Sequence, residues 1–199
     1  MQMRNLIKEK IAANGYAVGA FVASSSATNC EILAMNGYDF VIIDCEHAQT
    51  DSETAVNMFR ACEMYGMAPM VRVYNPYDGP MMSRLLDVGA HGIMVPLVND
   101  APQAKNIVDN TKYAPVGRRG ANGGRGPRWG AYDDYVKVCN DNTLTFVQCE
   151  SIEGVNNIEE IAALPGVDGV FIGTGDLSLE MGIKFKADSS ANHTVDSPE

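Results

Sequence analysis

Two carboxylates stand where two apolar segments of the sequence end. Glu150 closes the segment LTFVQCE, and Asp176 follows the next apolar segment after the glycines of GTGD. Carboxylate oxygens with open positions beside them suit a hard cation such as Mg²⁺ or Mn²⁺. Each residue could instead be an acid at a helix start, where the helix dipole favours it. The position of both at strand ends favours a metal pair, although the spacing alone does not specify a metal.

A third apolar segment, FVIIDCEH, ends in a cluster of ionisable residues. Histidine exchanges protons near neutral pH, so His47 is a candidate acid–base group. Asp44 and Glu46 point to one side of the strand, so one of them could orient this histidine or a water molecule. A lone histidine is more often structural, but these acidic neighbours favour chemistry. His91, which precedes a strand, is predicted to be structural, and His193 in a polar tail receives no role.

Arginines mark two further places in the sequence. Arg72, inside PMVRVY, is costly to bury unless an anion meets it, and its planar guanidinium suits a carboxylate or an oxyanion. A structural ion pair with a neighbouring acid is the alternative.

The loop at 116–130 holds four arginines and no acid. It could clamp an anionic substrate as a mobile lid, or it could be a flexible loop in which Arg118 or Arg119 pairs with the acidic body.

These residues require a scaffold that brings several strand ends together. Apolar β-branched runs alternate with segments of helical spacing, which indicates βαβ units and a parallel sheet. Because the candidate residues fall at the carboxyl ends of several strands, and the first turn has no GxGxxG motif, a TIM barrel is favoured over a doubly wound sheet. The predicted strands are 17–24, 40–47, 68–74, 92–98, 144–150 and 167–176, and the predicted helices include 52–66, 78–89 and 153–166.

Composition narrows the class of protein. A chain of 199 residues with 46% hydrophobic and 20% charged residues suits a soluble globular domain. The formal net charge of -10 argues against a nucleic-acid partner. No apolar run is long enough for a membrane span, and the first residues do not resemble a signal peptide. Five scattered cysteines without a CxxC spacing predict reduced thiols and a cytoplasmic location.

Six motifs in order closely resemble the HpcH/HpaI aldolase family over roughly residues 15–183: GYDFVIIDCEH, MVRV, RLLDVGAHGIMVPLV, YAPVGRRG, VQCES and FIGTGDLS. The resemblance implies an α/β fold, a TIM (β/α)8-type barrel. It implies a class II aldolase that reversibly cleaves a 4-hydroxy-2-oxo acid to pyruvate, or a related 2-oxo acid, and an aldehyde through a metal-stabilised enolate. A divalent metal is implied, Mg²⁺ or Mn²⁺ with Co²⁺ as a further option, together with a homo-oligomer built from dimers, for which a hexamer is one option.

The same resemblance assigns roles residue by residue. The metal-binding acids of the family fall on Glu150 and Asp176, and its arginine for the substrate carboxylate and the enolate falls on Arg72. The catalytic histidine falls on His47, and Asp87 of RLLD matches its acidic partner. Supporting roles are predicted for Asp44 and Glu46, and substrate contacts for Gln148, Gly173, Thr174 and Gly175.

The sequence also departs from the family pattern. Cys45 replaces a glycine, and Thr174-Gly175 replaces a Pro-Ala or Pro-Ser pair, so substrate choice could differ. Only six βα units are predicted, with strands seven and eight and the last helix missing. The predicted division is a barrel domain over 1–183 and a polar, disordered or atypical tail over 184–199.

Two other functions stay open. Similar enolate chemistry could condense oxaloacetate with an acyl-CoA, as in the citrate-synthase-like enzymes of siderophore biosynthesis, with the thioester near the Arg118–Arg128 loop. A degenerate, non-catalytic barrel subunit is the second alternative. The missing strands favour that alternative, and the complete set of Glu150, Asp176, Arg72 and His47 opposes it.

Overall fold

The computed structural model describes residues 2–183, which form one parallel β-sheet covered by helices. The strands pair in sequence order, each with the next along the chain. They are β1 (Gly19–Val22), β2 (Phe40–Asp44), β3 (Ala68–Arg72), β4 (Gly92–Val95), β5 (Leu144–Cys149) and β6 (Gly169–Ile172). The α-helices are α1 (Leu6–Asn14), α2 (Ala27–Met35), α3 (Ser52–Met64), α4 (Gly79–Asp87), α5 (Ala101–Thr111), α6 (Tyr135–Asn142), α7 (Ile152–Asn156), α8 (Ile158–Ala162) and α9 (Thr174–Glu180).

The sheet curls like part of a barrel. Phe21 on the first strand and Phe171 on the last lie with their ring centroids 5.6 Å apart, so the two outer strands approach each other across the concave face. Six parallel strands with a helix after each of them confirm the prediction of a shortened TIM-type barrel for the described residues. The tail at 184–199 lies outside those residues, and the domain division at 183 stays a prediction.

Alternate residues of the strands pack into two apolar layers, as expected for a sheet buried on both faces. One layer lies between the sheet and α3, α4 and α5, and it contains Val41, Ile43 and Val71. The other fills the concave side and contains Ile42 and Met70, together with Ile7 of α1. Because α1 covers the amino ends of the strands, a substrate must enter at their carboxyl ends.

Several predicted strand ends and one predicted helix are wrong. The strands are shorter than predicted at their carboxyl ends, so Glu46 and His47 lie in the loop after β2. The predicted strand at 167–176 stops at Ile172, and its last residues begin α9. The predicted helix at 153–166 is split into α7 and α8 at Asn157, whose φ of −104° and ψ of 7° are not helical. At this position the side-chain amide of Asn157 donates to the Asn99 carbonyl at 2.8 Å.

Two predicted helices and the predicted free cysteines agree with the structure. The helices predicted at 52–66 and 78–89 are present with slightly shorter bounds. All five cysteines are buried free thiols. No helix within residues 2–183 combines the length and the apolarity needed to cross a bilayer.

His91 is expected to make stability depend on pH. Burial lowers the pKa of its imidazole to about 4, below the value of about 6.5 in an unfolded chain. Between those values only the unfolded chain takes up the proton, so the free energy of unfolding should fall by about 3 kcal/mol as the pH drops through this window. Urea unfolding of the wild type and of His91→Gln at several pH values checks this. Equal pH slopes for the two proteins would contradict it.

Candidate active site

The carboxyl ends of the strands open onto a cleft of about 340 Å³. Because parallel strands deliver their carboxyl ends to one side of the sheet, residues far apart in sequence meet there. Most of the predicted site residues line this cleft. They are His47, Arg72, Gln148, Glu150, Gly173, Thr174, Gly175 and Asp176.

Arg72 lies in the cleft and holds two acids of the preceding strand and loop. It pairs directly with Asp44 in the register of β2 and β3. Its Nε and Nη2 donate to the two Asp44 carboxylate oxygens at 3.0 and 2.7 Å, and its Nη1 lies 3.1 Å from Glu46 Oε2. Burial acts to raise the pKa of Asp44, but the hydrogen bonds from Arg72 bring that pKa below its ordinary value. The structural ion pair weighed as an alternative is therefore present, and it orients an arginine that also faces the cleft.

Glu150 follows β5 and is buried, with both carboxylate oxygens held. Its Oε1 accepts a hydrogen bond from the Leu97 backbone N–H at 2.7 Å, and its Oε2 accepts one from the Gln148 side-chain amide. Burial raises the pKa of Glu150, and the Leu97 hydrogen bond opposes that change. Gly173 packs so close that a Cβ there would lie 2.5 Å from Glu150 Oε2. Position 173 therefore requires a glycine, because its backbone lies so close to the Glu150 side chain.

The acids of the cleft fit a divalent cation. Burial is the main cause that raises the pKa of both Glu150 and Glu46. The charge of Asp176, in the first turn of α9, adds to the shift of Glu150, and the Glu150 charge adds to that of Glu46. A cation would relieve this repulsion, and carboxylate oxygens are the ligands that Mg²⁺ and Mn²⁺ prefer. The Gln148 Oε1 is buried and accepts no hydrogen bond from the described residues. Within residues 2–183 no cluster of three or more His, Cys, Asp or Glu forms a preformed metal site, so water and substrate oxygens would have to complete the coordination.

The structure places His47 and Asp87 far apart in the fold. The His47 side chain is 65% exposed at the cleft, with Nε2 3.6 Å from Glu46 Oε2. Asp87 ends α4 at the amino end of the sheet, where its Oδ1 accepts hydrogen bonds from Arg119 at 2.6 Å and Asn122 at 2.5 Å. The two residues therefore do not pair within one chain, and their pairing stays a prediction. Such a pair would have to form between two copies.

The arginine-rich loop also lies at the amino end of the sheet, where the Gly126 N–H donates to the Asp87 carbonyl at 2.7 Å. Each of its four arginines forms an ion pair with an acid of the body of the chain. The substrate-clamp interpretation is therefore wrong within one chain, and the alternative, pairing with the acidic body, is confirmed. The pairs are Arg118–Asp109, Arg119–Asp87, Arg125–Glu63 and Arg128–Glu63.

Three residues of the site are missing from the sequence-based prediction. The Phe21 ring lies 5.0 Å from the Arg72 guanidinium carbon and contacts Phe171, which forms an apolar wall beside the charge. The inward-facing positions of β1 and β6 could have indicated both phenylalanines. Leu97 contributes only its backbone, and nothing in a leucine signals that role.

A curled parallel sheet with acids and an arginine at its carboxyl edge is typical of enzymes of the TIM-barrel class. Residues 17–194 match the sequence profile of the HpcH/HpaI aldolase/citrate lyase family, and the chain belongs to that family.

Individual relatives refine this assignment. The chain is 42% identical over 166 residues to the hydroxypyruvate/pyruvate aldolase of Chromohalobacter salexigens. The matched region is 82% of this chain but only 65% of that relative. The crystal structure of an HpcH/HpaI aldolase from Desulfitobacterium hafniense superposes with a TM-score of 0.85 at 30% identity, covering 94% of this chain and 73% of that one. The citrate synthase SbnG superposes with a TM-score of 0.79 at 32% identity over 94% of this chain and 73% of its own.

Proposed function

We propose that this chain is a class II aldolase that cleaves a 4-hydroxy-2-oxo acid reversibly to pyruvate, or a related 2-oxo acid, and an aldehyde. The observation that carries the proposal is that Arg72, Glu150 and Asp176 line one cleft at the carboxyl edge of the sheet. The similarity to an enzyme named as a hydroxypyruvate/pyruvate aldolase supports a 2-oxo acid as substrate.

Arg72 can bind a substrate oxygen while keeping its structural partners. A guanidinium has five N–H donors, and the hydrogen bonds to Asp44 occupy two of them. The remaining N–H groups can donate to the carboxylate of a 2-oxo acid and to the oxygen on which charge develops as the carbon–carbon bond breaks. Because its acidic partners hold the side chain in place, little reorganisation accompanies that charge.

Glu150 and Asp176 would hold the divalent metal, which the oxygen donors of the cleft fit. When bound, Mg²⁺, Mn²⁺ or Co²⁺ supplies Lewis-acid stabilisation of negative charge on the substrate. The Leu97 backbone N–H and the Gln148 side-chain amide orient the Glu150 ligand, because together they keep its carboxylate in one position.

The decisive experiment follows exchange of the pyruvate methyl protons in D₂O by NMR, with Mg²⁺, with Mn²⁺ that is removed before the spectrum, and without metal. Exchange should require a metal and should be lost in Glu150→Ala, because formation of the enolate is the step that releases a methyl proton. Glu153→Ala is the matched control, since Glu153 is an exposed acid three residues further on. No exchange with either metal would refute the aldolase and favour a non-catalytic barrel.

His47 is expected to serve the aldehyde half of the reaction, where a proton must leave the 4-hydroxyl group. Glu46, 3.6 Å from its Nε2, can orient the imidazole. His47→Ala should therefore lower cleavage by about a hundredfold or more while pyruvate methyl exchange falls much less. Parallel steady-state cleavage and exchange assays measure the two losses. Equal losses would show that His47 has no separate role in proton transfer to the aldehyde side.

A condensing enzyme that joins oxaloacetate to an acyl-CoA is the second candidate, which the superposition on SbnG favours. The cleft would bind oxaloacetate through the same N–H groups of Arg72 that are proposed to bind a 2-oxo acid. Release of free CoA thiol from acetyl-CoA in the presence of oxaloacetate distinguishes the two reactions.

We also infer that the chain forms a homo-oligomer based on dimers, with a hexamer as one option, and that it is located in the cytoplasm. Both statements stay predictions.

A further inference from the structure

Leu97 has an unusual backbone conformation directly beside the candidate metal site. It follows β4 and Pro96 with a φ of 55°, in the left-handed region that a residue with a Cβ rarely adopts. Such conformations persist only where the surroundings impose them, and they concentrate at functional sites.

The surroundings that impose it are the residues after Leu97. The Val98 N–H donates to the Gln148 carbonyl at 3.2 Å, and Asn99 Oδ1 accepts a hydrogen bond from the Ser151 hydroxyl at 2.5 Å. Both contacts tie the turn after β4 to the end of β5, on either side of Glu150. The strained turn is therefore anchored to the strand that carries the candidate metal ligand.

The consequence of this conformation is the direction of one N–H bond. The Leu97 amide points at Glu150 Oε1 and donates to it at 2.7 Å. Oε2 accepts a hydrogen bond from the Gln148 side-chain amide and packs against Gly173, where a Cβ would lie 2.5 Å from it. The Glu150 carboxylate is thus held by two donors, one from the turn after β4 and one from β5 itself.

We propose that the Leu97 backbone amide is a positioning group that sets the orientation in which Glu150 presents its free lone pairs to a divalent cation. This inference rests on the proposed metal-dependent function. Groups that orient a metal ligand typically contribute about 10- to 100-fold in metal affinity. Because the donor is a backbone N–H, the effect belongs to the conformation of Leu97, and its side chain is not required.

Replacing leucine 97 by its α-hydroxy analogue tests the proposal, because the resulting ester lacks the N–H and keeps the side chain. Mn²⁺ affinity, measured from free Mn²⁺ by electron paramagnetic resonance, should fall by about 10- to 100-fold. The same amide-to-ester change at Val98 is the matched control. It removes the hydrogen bond to the Gln148 carbonyl in the same turn, and Mn²⁺ affinity should stay near that of the wild type.

The outcomes separate this inference from the proposed function. A wild-type protein that binds no Mn²⁺ would refute the metal-dependent function itself. Mn²⁺ binding that is equal in the wild type and the Leu97 ester, or weakened equally by both esters, would overturn the positioning role alone.

Amide hydrogen exchange provides a measurement that does not depend on folding of the ester. The Leu97 amide should exchange faster in Glu150→Ala than in Asp176→Ala, because only the first change removes its acceptor. Equal protection of the Leu97 amide in these two variants would contradict the proposed contact.

Discussion

Arg72→Ala is expected to reduce kcat/KM for aldol cleavage by about a hundred- to a thousandfold, the usual effect of removing one donor to a developing oxyanion. The same change leaves Asp44 and Glu46 close together and partly buried without their counter-charge. Removing one partner of a buried ion pair costs about 3 kcal/mol or more. The variant should therefore be both less active and less stable.

Arg72→Lys separates these two effects. Lysine restores a positive charge beside Asp44 but lacks the planar fork that binds two oxygens at once. Stability measured by urea unfolding should recover in part, while kcat/KM measured on folded protein should stay low. A lysine variant as active as the wild type would show that only the charge of Arg72 matters.

Gly173→Ala is expected to reduce metal-dependent activity by about a hundredfold, since a displacement of about 1 Å in a catalytic group has an effect of that size. The added Cβ would lie 2.5 Å from Glu150 Oε2 and 2.6 Å from Glu150 Cβ. The backbone of Gly173, with φ of −86°, suits other residues, so the clash itself is the cause. Titration with Mn²⁺ and the pyruvate exchange assay measure the loss.

Gly175→Ala is the comparison for this variant. A Cβ at Gly175 meets no atom within 4 Å among the described residues, so its loss of Mn²⁺ affinity should be much smaller. Similar losses in the two glycine variants would mean that the approach of Gly173 to Glu150 does not control the site.

Much of the site follows from local sequence patterns. The sequence predicts one site for Glu150, Asp176, Arg72 and His47, because each follows or ends an apolar strand and parallel strands bring those ends to one side. Strand alternation also accounts for the two buried layers of the sheet. These features depend on neighbours in sequence, which is why periodicity and order are sufficient to predict them.

Sequence patterns are sufficient to predict the βα repeat, the barrel-like class and the residue types at the strand ends. The position of Asp87 at the amino end of the sheet with Arg119, away from His47, is visible only in the folded chain. The same is true of the Leu97 backbone, which turns its amide towards Glu150. Both facts depend on distances across the fold and on one dihedral angle, and residue type or spacing along the chain does not encode either of them.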